Sequence, residues 1–175
     1  MKSIPIFLLI SLLTALVLLA GPSQSPPKID EIVLEAKAGF ELGTFKSYGT
    51  GFKVTFQRDG AALYAGSRNV KLIGSYQGTI PADEFEKLVE FVNARDYSRI
   101  PDDPLPASRT ADAAEADAFK PRTITTITYE GGGQKRISRL AELSPLDREK
   151  VPKALFEIEQ AILDASARIK WREVE

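Results

Sequence analysis

The sequence predicts an α+β fold, an antiparallel sheet of about five to six strands with two amphipathic helices packed on it. Three observations carry this expectation. Phe52, Val54 and Phe56 alternate with Lys53, Thr55 and Gln57, the period of a strand with one apolar face. Phe85, Leu88, Val89 and Val92 recur at i, i+3, i+4 and i+7, the stripe of an amphipathic helix. The order is three or four strands, a helix, two strands and a helix. Short turns between successive strands imply antiparallel pairing.

The elements follow in order. IDEIVLEAK, from Ile29 to Lys37, is the first strand, with Ile32 and Leu34 facing one way and Val33 the other. AGFELGTFKSYGTG is punctuated by glycine and reads as a loop. The strand at Phe52 to Gln57 ends at Asp59-Gly60, a pair suited to the positive φ of a tight hairpin. Ala61 to Ala65 returns, carrying Leu63 and Tyr64, GSRN turns the chain, and VKLIGSYQG gives another strand. In PADEFEKLVEFVNARDY, Pro81 suits a first helical turn, and Asp83 and Glu84 lie where the helix dipole favours negative charge. This helix is expected to end near Arg95.

Residues 98–122 mix prolines, alanines and acids with little apolar content and read as a long exposed loop. TITTITYE is β-branched and makes a strand, GGG turns it, and QKRIS returns. The two units VTFQRDGAALY and ITYEGGGQKRI share a strand-turn-strand layout leading towards a helix. Ser144-Pro145 with Asp147 offers a helix start that Pro152 interrupts, so the main helix begins there. Val151, Leu155, Ile158, Ile162, Ala165 and Ile169 then form one seam, with the intervening Lys, Glu, Gln and Asp expected to face water. The tail RIKWREVE is expected to dock through Trp171.

The N-terminus has Lys2 followed by an apolar run from Ile4 to Ala20 and then small and polar residues, the layout of a secretory signal peptide. The expected organisation is a signal peptide at 1–23, a spacer at 24–28 and a single domain at 29–175. A retained membrane anchor through Ile4–Ala20 is the alternative. LLAG at Leu18–Gly21 is followed by Pro22 in place of the cysteine that lipidation needs. The expected location is periplasmic or secreted, or tethered to a membrane if the segment is retained.

Composition excludes several chemistries. The 175 residues include no cysteine and no histidine. Disulfides, thiolate nucleophiles, Ser-His-Asp catalysis and His-ligated zinc are therefore ruled out. With 23 basic and 24 acidic residues the formal net charge is −1, which gives no field to collect nucleic acid. A phosphate cradle at Gly43, Gly49 and Gly51 lacks both a following G-K-[ST] and a helix N-terminus. The acids Asp102, Asp103, Asp112, Glu115 and Asp117 lack calcium-loop spacing. Lys135, Arg136 and Arg139 form a small basic spot, read as a solvated strand face.

The run SYGTGFKVTFQRDGAALYAG, with Asp59-Gly60 and then Tyr64-Ala65-Gly66, resembles a family of bacterial extracytoplasmic domains of unknown function. The likeness continues through GTIPADEFEKLVEFVNARDY and ITTITYEGGGQ to IKW. Many members of that family carry a pair of cysteines about the glycine loop, where this chain has Ser47 and Gly51. The resemblance implies an exported α+β domain and supplies no catalytic residues.

The expectation is thus a non-enzymatic module, without cofactor, that binds a protein or envelope component through a sheet edge or the long loop. Its candidate interaction surface is Tyr48, Tyr64, Tyr76, Asp102, Asp103 and Trp171. The alternatives are a carboxylate-dependent hydrolase of envelope or sugar polymers, using a pair among the loop acids, and a structural membrane-tethered domain.

Overall fold

The computed structural model describes residues 26–41, 46–105 and 119–175. The expected signal segment, Gly43, Asp112, Glu115 and Asp117 lie outside these residues. β1 (Ile29–Lys37) occupies the middle of the main sheet. β2 (Gly39–Glu41) and β3 (Lys46–Tyr48) form a separate two-stranded ribbon. β4 (Gly51–Gln57), β5 (Ala61–Arg68) and β6 (Gly74–Thr79) run as a meander. Then come α1 (Ala82–Asn93), a 3₁₀ turn at Tyr97–Arg99, β7 (Arg122–Tyr129) and β8 (Gln134–Leu140). The short helix α2 (Pro145–Lys150), the long helix α3 (Lys153–Arg168) and β9 (Arg172–Glu173) complete the chain.

Among the described residues the main sheet has seven strands in the order β8-β7-β1-β4-β5-β6-β9, with every pairing antiparallel. It is therefore larger than the five to six strands expected, and a third helix, α2, joins the two expected ones. The difference is physical. The strand added to the main sheet is β9, which at two residues is too short to show a period in the sequence.

Register places Leu34 opposite Val54 and Thr125, and Ile32 opposite Phe56 and Ile127. These side chains share one face of the sheet, and α1 and α3 cover it. α1 buries Phe85, Leu88, Val89 and Val92, the stripe read from the sequence. α3 buries Leu155, Ile158, Ile162 and Ala165. Each buried large aliphatic or aromatic side chain contributes about 1.5–3 kcal/mol, so these two stripes supply much of the driving force. Ion pairs lace the two helices at opposite ends, Arg168 to Glu84 at 2.9 Å and Arg95 to Glu157 at 2.7 Å, so the helices run antiparallel.

Two sequence expectations are corrected. The start of the 98–122 segment is exposed at Ser98, Arg99 and 101–103, but it is anchored in the core at Ile100, Pro104 and Leu105 rather than standing free. Tyr97, Ile100 and Leu105 belong to the core, and the Tyr97 hydroxyl donates to the Thr125 carbonyl at 2.6 Å. Ser138 N–H donates to the Asp102 carbonyl at 3.0 Å, so this segment lines the outer edge of β8. Nor do all polar residues of the last helix face water. Glu159 is buried and receives Arg139, which the sequence placed on a solvated face. Both sit on core-facing positions, Glu159 four residues after Leu155 and Arg139 two after Ile137.

Candidate functional site

A cleft of about 840 Å³ opens where the ends of β5 and β6 meet the start of α1 and the end of α3. The Asp59-Gly60 turn forms one side, with Gly60 at φ +91° as the hairpin requires. Gly78 and Ile80 line the bottom with Ala165 and Ile169 of the last helix and its C-terminal end. Leu63, 45% exposed, and Gln77 carry the lining onto the uncovered face of the sheet. Arg168, Lys170 and Arg172 supply its positive charge.

The segment after α3 explains how those cations are placed. Ile169 and Trp171 turn inward and pack on the core. Lys170 and Arg172 therefore turn outward, as alternation along an extended chain demands. Close approach fixes this segment, because a Cβ on Gly78 would run into the Ile169 side chain. Trp171 donates its indole N–H to the Ser166 carbonyl at 3.1 Å, tying the tail to the end of α3. Its ring lies 5.5 Å from Tyr64.

The charges in the cleft are not equivalent. Hydrogen bonding to Lys87, then the Lys87 charge and the contact with Arg168, hold the Glu84 carboxyl below its ordinary range. Arg168 is thereby occupied. Asp59 accepts the Ala61 N–H at 2.9 Å, a local turn contact. Lys170 and Arg172 have no ion-pair partner among the described residues.

The residues singled out from sequence fall in separate places. Tyr64, Tyr76 and Trp171 come together, with ring centroids 6.2 Å apart for Tyr64–Tyr76, but they are half-buried and act as the support behind the cleft's basic rim. Burial, with Tyr76 adding to it, raises the Tyr64 phenol above its ordinary value, so it stays neutral. Tyr48 is 39% exposed at the end of the small ribbon, away from that cluster. Asp102 pairs with Lys135, and Asp103 accepts the Leu105 N–H at 3.1 Å. Neither lines the cleft. Sequence reasoning missed Leu63, Gln77, Lys170 and Arg172. The available signal was the alternation in IKWR, with apolar residues at 169 and 171 and cations at 170 and 172.

The motif Tyr64-Ala65-Gly66 also has a packing explanation. A Cβ on Gly66 would collide with the Leu72 carbonyl, so glycine is what lets the β5–β6 connection fold back on the strand.

An α+β domain with an all-antiparallel sheet, helices on one face and a cleft at the end of the meander is the class that this geometry defines. Residues 44–166 match the family model described as a domain of unknown function, DUF6438, and the chain belongs to that family. The match begins after β1 and ends within α3, so Lys170, Arg172 and β9 lie beyond it. No curated protein matches the chain.

Proposed function

We propose that the protein is an exported, non-enzymatic binding module of the cell envelope, and that its partner docks in the cleft between the β5–β6 end and the chain after α3. One observation carries the reading. Two cations without an ion-pair partner among the described residues, Lys170 and Arg172, stand beside an exposed leucine and hydrogen-bonding side chains in an open cleft. Rim charge steers encounter, and an apolar contact beside it supplies area. Glu84 in the cleft is held ionised, whereas a general acid for glycoside hydrolysis needs a raised pKa. The raised carboxyl among the described residues is Glu159, which is buried and engaged by Arg139 rather than facing the cleft.

The test is capture from envelope extract on the immobilised domain, beside a Leu63→Asp variant of unchanged stability. A partner retained by the parent and lost by the variant supports the reading. Nothing above control, or equal capture by both, contradicts it. Sequencing the mature N-terminus tests the export component, since cleavage after Ala20 or Ser23 is expected and an intact Met1 means retention.

A further inference from the structure

We infer that the outer edge of β9 accepts an acidic, extended segment of a protein partner as an added strand, a refinement that rests on the cleft being the binding site. Val174 N–H donates to the Ser75 carbonyl at 2.9 Å, and Arg172 lies opposite Gln77. Along a strand the backbone groups of alternate residues point the same way. Val174 and Arg172 therefore turn their N–H and C=O towards β6, and Glu173 between them turns its own outward.

At the opposite edge of the sheet the Asp102 carbonyl already occupies the Ser138 N–H. The outward groups of Glu173 have no backbone partner among the described residues. Addition of a strand to such an edge is a recurrent mode of peptide recognition, in which backbone bonds give affinity and alternate side chains give specificity.

Charge selects the occupant. Arg172 shares its register row with Gln77 and Leu63 on the uncovered face of the sheet, and Lys170 lies two residues before it. Their Cα atoms are about 7 Å apart at a strand's rise per residue. Acids at alternate positions of an incoming strand repeat with the same spacing and fall beside them. A second copy of this chain is a poor occupant. Antiparallel self-pairing across β9 sets the Lys170 and Arg172 face of one copy against the same face of the other, and like charges opposed across strands are destabilising. The same cations that discourage self-association therefore favour an acidic strand.

The probe is a fluorescein-labelled, capped hexapeptide with glutamate at alternate positions and valine between, followed by anisotropy with the full mature chain. Saturable binding is expected. The double variant Lys170→Glu, Arg172→Glu should bind about tenfold or more weakly, since reversal replaces attraction with repulsion at both positions. A lysine-for-glutamate peptide should prefer that variant over the parent. Because both side chains are exposed, an unchanged urea midpoint confirms that the variant is folded, and Lys170→Ala with Arg172→Ala is the milder check. No binding, equal binding by parent and reversed variant, or equal binding of random-coil polyglutamate or phosphatidylglycerol vesicles overturns the inference. If the peptide fails while partner capture still depends on Leu63, the cleft stands and the acidic strand falls. If capture fails as well, both fall.

Discussion

Replacing Glu159 by alanine tests how the core is held together. The side chains of Arg139 and Glu159 are 10% and 7% exposed. Arg139 Nε donates to both carboxylate oxygens, at 3.0 and 3.1 Å, and its Nη2 donates to Oε2. Nη1 donates to the Leu140 carbonyl at 2.8 Å, and the guanidinium lies 4.7 Å from the Phe156 ring. The Thr125 hydroxyl completes no regular hydrogen bond, yet lies near enough to Glu159 to favour its charged form. Truncating the carboxylate leaves a buried guanidinium without its counter-charge, which destabilises by about 3–5 kcal/mol. With a urea m-value of about 2 kcal/mol/M, the midpoint should fall by roughly 1.5–2.5 M. The double variant Arg139→Met, Glu159→Leu removes both charges and keeps volume, so it should lie within about 1 kcal/mol of the parent or above it. A shift below about 0.5 M for Glu159→Ala, or a double variant as damaged as the single, would refute this reasoning.

Other consequences are open to measurement. Partners hold Asp83, Glu84 and Glu157 below their ordinary values, chiefly Lys87 for the first two and Arg95 for the third. Their stabilisation is present above the unfolded carboxylate value and is lost as pH falls through the folded ones, so midpoints should drop between about pH 5 and 3, less steeply in Glu84→Gln with Glu157→Gln. Burial raises Glu159, with Arg139 opposing, so its contribution has the opposite sign and declines as pH rises through its folded value. Gly66→Ala should destabilise by about 1–3 kcal/mol, because backbone must move. Gly133→Ala, with open space around it, should stay within about 0.5 kcal/mol in the same titration. Tyr97→Phe should lower stability by roughly 1–2 kcal/mol by orphaning one lone pair of the Thr125 carbonyl.

Much of this architecture was legible where a period ran long enough to read. The stripe Phe85, Leu88, Val89 and Val92 is the buried face of α1, and the 155–165 seam is that of α3. The Asp59-Gly60 hairpin stands where its turn chemistry put it. The Arg139–Glu159 pair was hidden for a specific reason. Both residues occupy core-facing positions by period, but a charge is ordinarily read as water-facing, and only the fold brings an arginine from β8 to a glutamate on α3. β9 is invisible locally, since its pairing with β6 joins segments nearly a whole domain apart in the chain. The cleft inherits that problem, because Leu63, Gln77 and Arg172 become neighbours only through sheet register. The aromatics noticed first, Tyr64, Tyr76 and Trp171, are near the site because they brace it.

Site-specific photo-crosslinking in cells that express the full chain tests the cleft most directly, because it traps whatever partner the cell supplies. A benzophenone side chain is placed at Leu63 or Gln77 in the cleft, and at Leu146, which is 73% exposed on α2 outside it. Discrete adducts from the two cleft positions and none from Leu146 are predicted. Adducts from Leu146 alone, or from none of the three, would contradict the assignment of this cleft as the place where the protein binds.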